Sequence, residues 1–140
     1  MWANEESIEA AADADAVWRL FEDPSRWVDW HPDITSARLD GPLDVGSTVR
    51  VQQRGAPTRT LTVVAVEPGR SYATEDRMPL ARLRFEHEVH RLGEHRCRIL
   101  LRQSMSGPLT PIFSRLLGGR IARGVPDQLQ GLAKAVEREP

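Results

Sequence analysis

The sequence predicts an α+β fold in which an antiparallel sheet is covered on one face by a long C-terminal helix. Three observations lead there. From Pro108 to Glu137, the residues Leu109, Ile112, Phe113, Leu116, Leu117, Ile121, Val125, Leu129, Leu132 and Val136 recur at steps of three and four, the spacing of a single apolar stripe on a helix. Between Ile34 and Met105 the signal is extended instead. Leu83, Phe85, His87 and Val89 alternate with charged neighbours, as do Cys97, Ile99, Leu101, Gln103 and Met105, so one face of each strand is buried and the other wet. The elements also run in segregated order: one strand, two short helices, a run of about six strands, then the long helix. Only the C-terminal stripe is long enough to cover the apolar face of the sheet.

Each element has a local reason. Trp2 to Ala10 reads as a first strand. Asp13 can cap the helix that carries Ala14, Val17, Trp18 and Phe21, and Asp23-Pro24 ends it. Ser25 to Pro32 is a second short helix or a tight loop, with Trp27 and Trp30 on one side of a turn. Strands follow at Ile34 to Leu39, ended by Asp40-Gly41-Pro42, and at Ser47 to Gln53, where Val49 and Val51 share a face. Arg54-Gly55-Ala56-Pro57 is a turn. Thr58 to Val66 is rich in β-branched residues and is either buried on both faces or bulged; after the turn at Glu67-Pro68-Gly69-Arg70 comes a shorter strand, Ser71 to Asp76, and a loop at Met78-Pro79. Leu92-Gly93-Glu94-His95 joins the last two strands.

Gly107 and Pro108 open the C-terminal helix, which at 1.5 Å per residue would be roughly 40 Å long. Gly118-Gly119 interrupts it, Gly118 leaving space near the apolar stripe, and Pro126 removes a hydrogen bond and should kink or divide it. Arg115, Arg120, Arg123, Asp127, Lys134 and Arg138 mark its solvated side.

The chain has 140 residues, consistent with one domain over 1–140, and its 19 basic and 20 acidic residues nearly cancel. There is no basic excess for nucleic acid, and no aromatics stand among the arginines of the sheet. No apolar run spans a membrane, and the acidic start Met1-Trp2-Ala3-Asn4-Glu5-Glu6 lacks the basic region of a secretory signal. Cys97 is the single cysteine, so no internal disulfide forms. A soluble cytoplasmic protein, monomeric or homodimeric, is the expectation.

Taken together, the pattern resembles the START-like (SRPBCC) superfamily, in particular its polyketide cyclase/dehydrase-like branch. The resemblance covers almost the whole chain. It rests on Ala14-x-x-Val17-Trp18, Trp27-x-x-Trp30-x-Pro32, Val45-Gly46, Val63-x-x-Val66-x-Pro68-Gly69, Gly107-Pro108 and Pro126. What it implies is a helix-grip fold: a curved antiparallel sheet of about six or seven strands wrapped round the C-terminal helix, with a cavity between them. Members bind lipids, sterols, polyketides or other apolar molecules; some catalyse aromatisation or cyclisation, and others bind proteins.

The residues that such a cavity would use are Val49, Val51, Tyr72, Phe85, His87, Leu101, Gln103, Phe113, Leu117 and Ile121, by strand parity and helix spacing, and Trp30 and His31, which the resemblance places near one mouth of the cavity. The expected ligand is a small apolar or aromatic molecule, with no cofactor. His87, between Phe85 and Val89, is either a proton-transfer group in an apolar pocket or a buried histidine satisfied by a neighbour. His31, flanked by Asp29 and Asp33, either meets the ligand beside a stacking Trp30 or belongs to a loop anchored by its tryptophans. These two are the candidate catalytic residues. Gln53, Gln103, Tyr72 and Thr74 share parity with apolar neighbours; they either orient a ligand or sit at strand ends. The acidic and imidazole groups near His31 match no standard metal site, and Gly118-Gly119 is not a phosphate loop. Cys97 reads as a small core residue. Ligand binding, a cyclase, aromatase or dehydratase activity, and a protein-interaction role are the three functions in view.

Overall fold

The computed structural model describes residues 2–138; Met1 of the acidic N-terminal stretch, and Glu139 and Pro140, lie outside the described residues. Seven strands form one antiparallel sheet, curled into a half-barrel: β1 (Trp2–Ala10), β2 (Ile34–Leu39), β3 (Thr48–Gln53), β4 (Arg59–Glu67), β5 (Ser71–Met78), β6 (Ala81–Gly93) and β7 (Arg96–Ser106). Their order across the sheet is β1-β7-β6-β5-β4-β3-β2. The first strand therefore pairs with the last, from Trp2 opposite Met105 to Ala10 opposite Cys97. No helix among the described residues is long and apolar enough to cross a membrane.

Helix α1 (Ala14–Phe21) starts where expected: the Asp13 side chain accepts the Asp15 backbone N–H at 3.1 Å. A short 3₁₀ helix, Pro24–Asp29, follows under an Asp23 cap. Trp27 and Trp30 are both buried, and Trp27 Nε1 donates to the Phe21 carbonyl at 3.1 Å. In β4 the choice between a doubly buried and a bulged strand falls to the bulge, which lies between Val63 and Ala65.

β5 runs two residues further than Asp76, because Met78 pairs with Ala81 across a two-residue turn. Leu80 occupies that turn at φ 55°, a conformation that costs a non-glycine residue free energy. Gly107 stands against it, and a Cβ there would lie 2.7 Å from the Leu80 carbonyl oxygen. That same oxygen accepts the Leu109 N–H at 3.0 Å, so the entry to the C-terminal helix braces the turn.

The C-terminal helix begins at Thr110 rather than Pro108. It comprises α2 (Thr110–Phe113), a π-helical turn (Ser114–Gly118) and α3 (Gly119–Glu137). Pro126 lies inside α3 without dividing it. The expected space at Gly118 is filled by the Trp2 indole, whose Nε1 would be 2.9 Å from an added Cβ. The single apolar stripe also fails at its front end, where Ile112 and Leu116 are 54% and 70% exposed. A π turn inserts extra residue into the helical repeat and rotates what precedes it, so these two face outward while Phe113, Leu117 and Ile121 face the sheet.

On the convex face of the sheet, Arg102 meets Glu5 and Glu86, and Arg84 meets Glu75 and Glu86. These exposed pairs contribute about 0–1 kcal/mol each. The wet-face reading of the arginines therefore holds. Cys97 is fully buried, and burial pushes its thiol pKa up.

Candidate functional site

A cavity of about 720 Å³ lies between the inner face of the sheet and the front half of the C-terminal helix. Strand alternation builds its wall. On β5 it turns Tyr72, Thr74 and Asp76 inward; β6 supplies Phe85 and His87, β7 supplies Gln103, and β3 supplies Val51 and Gln53. Phe113, Leu117 and Ile121 reach in from the helix at four-residue steps, and Trp27, Trp30 and His31 from the chain after α1.

Ten of the twelve residues singled out from sequence thus lie on this wall: Trp30, His31, Val51, Tyr72, Phe85, His87, Gln103, Phe113, Leu117 and Ile121. Val49 and Leu101 do not. They are 0% and 1% exposed and are sealed into the core that α1 and the second half of α3 make with the sheet. Strand parity puts a side chain on the inner face but cannot say where along that face the core ends and the cavity begins.

Sequence reading also missed wall residues. Asp76 shares the parity of Tyr72 and Thr74, and that signal was open to view; it reads as a strand end only if β5 stops there. Arg59 Nε donates to Asp76 Oδ2 at 2.9 Å, and this carboxylate holds the guanidinium pKa above its usual value. Trp27 both anchors its loop and lines the cavity. Gln103 is partly engaged, since its Oε1 accepts from Asn4 Nδ2 at 2.9 Å.

The floor is aromatic. Tyr72 and His87 are opposite each other in the β5–β6 register. Their rings stack with centroids 4.5 Å apart and planes 4° from parallel. Trp27 also stacks on Tyr72 at 5.9 Å, and Phe21 meets both Tyr72 and His87 edge-on, at 5.5 and 5.6 Å. The Trp30 ring is 5.8 Å from His31 and 6.1 Å from His87. Two histidines from distant parts of the chain therefore share one cavity.

Burial decides their charge. It pushes His87 down to about 3, with nearby His31 adding to the effect. His31 is pushed down to about 4, burial outweighing the Asp33 carboxylate that favours its cation. Both rings are therefore neutral near pH 7. His31 Nδ1 accepts the Asp33 backbone N–H at 3.3 Å. Burial likewise holds the Tyr72 hydroxyl well above its ordinary pKa. Trp30 Nε1, the Tyr72 hydroxyl and His87 Nδ1 are sealed from solvent and have no hydrogen-bond partner among the described residues. Such orphans are rare in protein interiors and cluster where function needs them.

The arrangement can bury a flat apolar body against the aromatic floor and the helix, and offer it neutral polar groups. Among the described residues, no three histidine, cysteine or acidic side chains gather where a metal could bind.

The sequence model of a family described as polyketide cyclase/dehydrase and lipid transport matches residues 1–137. Compared by sequence with curated proteins, the chain matches none. Its fold is similar to that of the Zhui aromatase/cyclase from Streptomyces sp. R1128, with TM-score 0.78 and 18% identity over 98% of this chain and 94% of that one. It is also similar to norcoclaurine synthase from Thalictrum flavum, solved with dopamine and hydroxybenzaldehyde, with TM-score 0.73 and 15% identity over 99% of this chain and 88% of that one. A di-domain ARO/CYC protein, BexL from the BE-7585A biosynthetic pathway, gives TM-score 0.81 and 16% identity over 98% of this chain. The chain spans 47% of that protein, about half its length. At such identities the likeness concerns the fold.

Proposed function

We propose that this chain, which belongs to the polyketide cyclase/dehydrase and lipid transport family, binds a small apolar or aromatic molecule between its sheet and its C-terminal helix. The observation that carries this reading is the stacked Trp27, Tyr72 and His87 floor beneath a cavity of about 720 Å³. That volume is within the usual range for a small-molecule site. Apolar burial would supply affinity at about 25 cal/mol per Å² of ligand surface before the costs of association. A single domain over 1–140, a cytoplasmic location, a monomeric or homodimeric state and no role in nucleic-acid binding belong to the same reading.

Native mass spectrometry of the purified protein, followed by titration with a naphthalene-type fluorophore, tests it. A co-purified apolar molecule, or saturable binding that quenches Trp27 and Trp30, is expected. Leu117→Trp, which fills the cavity from the helix side, should abolish binding without unfolding the protein. Absence of both a bound molecule and probe binding would overturn the reading.

A second reading, an enzyme of the cyclase, aromatase or dehydratase kind, is favoured by the meeting of His31, His87 and Tyr72 at one cavity. Folding a flexible chain into a reactive conformer would be its main contribution. Imidazoles held at about 3 and 4 are weak bases near neutral pH, which argues for holding an oxygen over removing a proton. Unchanged turnover of an aromatic precursor in His31→Gln and His87→Gln would remove these residues from that role.

A further inference from the structure

We infer that the ligand of this cavity carries an acidic group on its apolar body, a carboxylate, sulfonate or phosphate that rests at the mouth among Arg54, Arg77 and Arg120. The inference rests on the reading of the cavity as a small-molecule site and adds the charge of the occupant. All three arginines belong to the cavity wall, and all three are exposed. They come from separate elements: Arg54 from the turn after β3, Arg77 from the end of β5 and Arg120 from the first turn of α3. Arg120 stands one helical turn from Leu117 and one from Gly124, which line the cavity as well.

Their lack of partners sets these arginines apart. On the convex face Arg84, Arg96, Arg98 and Arg102 each meet a glutamate. Arg54, Arg77 and Arg120 meet no carboxylate among the described residues. The wall itself holds two carboxylates, Asp33 and Asp76. Asp76 is neutralised by Arg59, whose Nε and Nη2 both donate to it. Asp33 is exposed and faces His31. Four arginines against two aspartates leave the wall two positive charges in excess, in a chain whose formal net charge is −1.

The imbalance extends around the mouth. Segments 51–59, 77–83 and 103–126 all contribute to the wall. Adding Arg82, Arg115 and Arg123, they hold seven of the 19 basic residues and none of the 20 acidic ones. A cleft lined by one sign of charge concentrates ligands of the other, and a guanidinium matches the paired oxygens of a carboxylate or phosphate. The floor is different. It is aromatic and its histidines are neutral, so a charge carried to that depth would lose its water without gaining a counter-ion. An amphipathic ligand suits both ends, with its apolar body on the floor and its acidic group at the mouth.

The test uses two probes of matched shape, 2-naphthylacetate and 2-naphthylacetamide, with the full chain. At low ionic strength the acid should bind about tenfold tighter than the amide, the scale of two or three exposed ion pairs. In about 1 M salt, where charges are screened beyond a few ångströms, the two should bind alike. The triple variant Arg54→Gln, Arg77→Gln, Arg120→Gln should lose the preference. A control with the same change in net charge, Arg19→Gln, Arg38→Gln, Arg50→Gln, alters exposed arginines outside the cavity wall and should keep it. Decanoate against decanamide repeats the comparison with an acyl chain. A preference in either pair upholds the acidic group, and the pair that shows it tells an aromatic acid from a fatty one. Equal binding within both pairs at low salt, a preference that survives the mouth variant, or one lost equally in the control would overturn the acidic group while leaving the cavity reading standing. Failure of all four probes to bind would overturn both.

Discussion

The two halves of the C-terminal helix carry the same rhythm of apolar residues and meet different fates. In the second half, Val125, Leu129, Leu132 and Val136 are no more than 3% exposed. In the first half, Ile112 and Leu116 stand in solvent, and Phe113, Leu117 and Ile121 line open space. The second half packs on β1, β7 and α1. It comes so close to the loop after the 3₁₀ helix that a Cβ at Gly131 would lie 2.1 Å from the Trp30 carbonyl oxygen. The first half touches the sheet at its ends, through Leu109 and through the Trp2 indole against Gly118, and between them it roofs the cavity. One helix thus clamps the fold at one end and roofs a ligand site at the other. The cavity persists because the packed end bears the stability.

Glycine replacement should break this contrast most sharply. Gly131→Ala should destabilise by about 2–4 kcal/mol, since backbone must move to admit the methyl group. Gly119→Ala should instead stabilise by up to about 1 kcal/mol, because among the described residues an added Cβ would meet only the guanidinium end of Arg123, a long side chain that can shift. Urea midpoints of the two variants moving in the same direction would refute the clamp. Leucine truncation sharpens the same point. Leu132→Ala should cost about 3 kcal/mol, whereas Leu116→Ala, 70% exposed, should change stability by less than about 0.5 kcal/mol.

Acid should act through the cavity end. His31 and His87 bind protons more weakly in the folded chain, at about 4 and about 3, than in the unfolded one, near 6.5. The stability they leave intact above about pH 6.5 is lost as pH falls towards 4, at a rate approaching 1.4 kcal/mol per pH unit for each ring. The groups facing them are Asp33, which favours the cation at His31, and each other. His87→Phe should flatten the slope of unfolding free energy against pH; a slope unchanged in both His31→Phe and His87→Phe would contradict the burial of these rings.

Tyr72→Phe is expected to have the smallest effect on this floor, and one of unusual sign. Its hydroxyl has no partner, so its removal should leave the protein as stable or up to about 1 kcal/mol more stable. A loss above 1 kcal/mol in thermal or urea unfolding would mean that the hydroxyl is satisfied in solution.

Much of the fold was legible because its elements rest on local signals. The Asp13 cap, the alternation of β6 and β7 and the break at Asp23-Pro24 each depend on a few neighbouring residues. The errors have equally physical causes. The loop read at Met78-Pro79 is a two-residue turn, Pro79-Leu80, with no glycine at its left-handed position to mark its type; its support comes from Gly107 and Leu109, far along the chain. The π turn has no compositional mark, and the Trp2 indole fills the Gly118 gap from the first strand. At the site, parity placed Tyr72, His87 and Gln103 on the inner face, but the stacking of Trp27, Tyr72 and His87 depends on register between strands and on the path of the loop.

By itself, the sequence determined which side chains face inward and which helix must cover the sheet, because alternation and three-four spacing are properties of the local backbone. Tertiary structure alone decided that the helix packs closely on the sheet at one end and roofs a cavity at the other, and that His31 and His87 share that cavity. Those outcomes depend on contacts such as Gly131 against Trp30, made between residues about a hundred positions apart, where size and approach distance rather than pattern set the result.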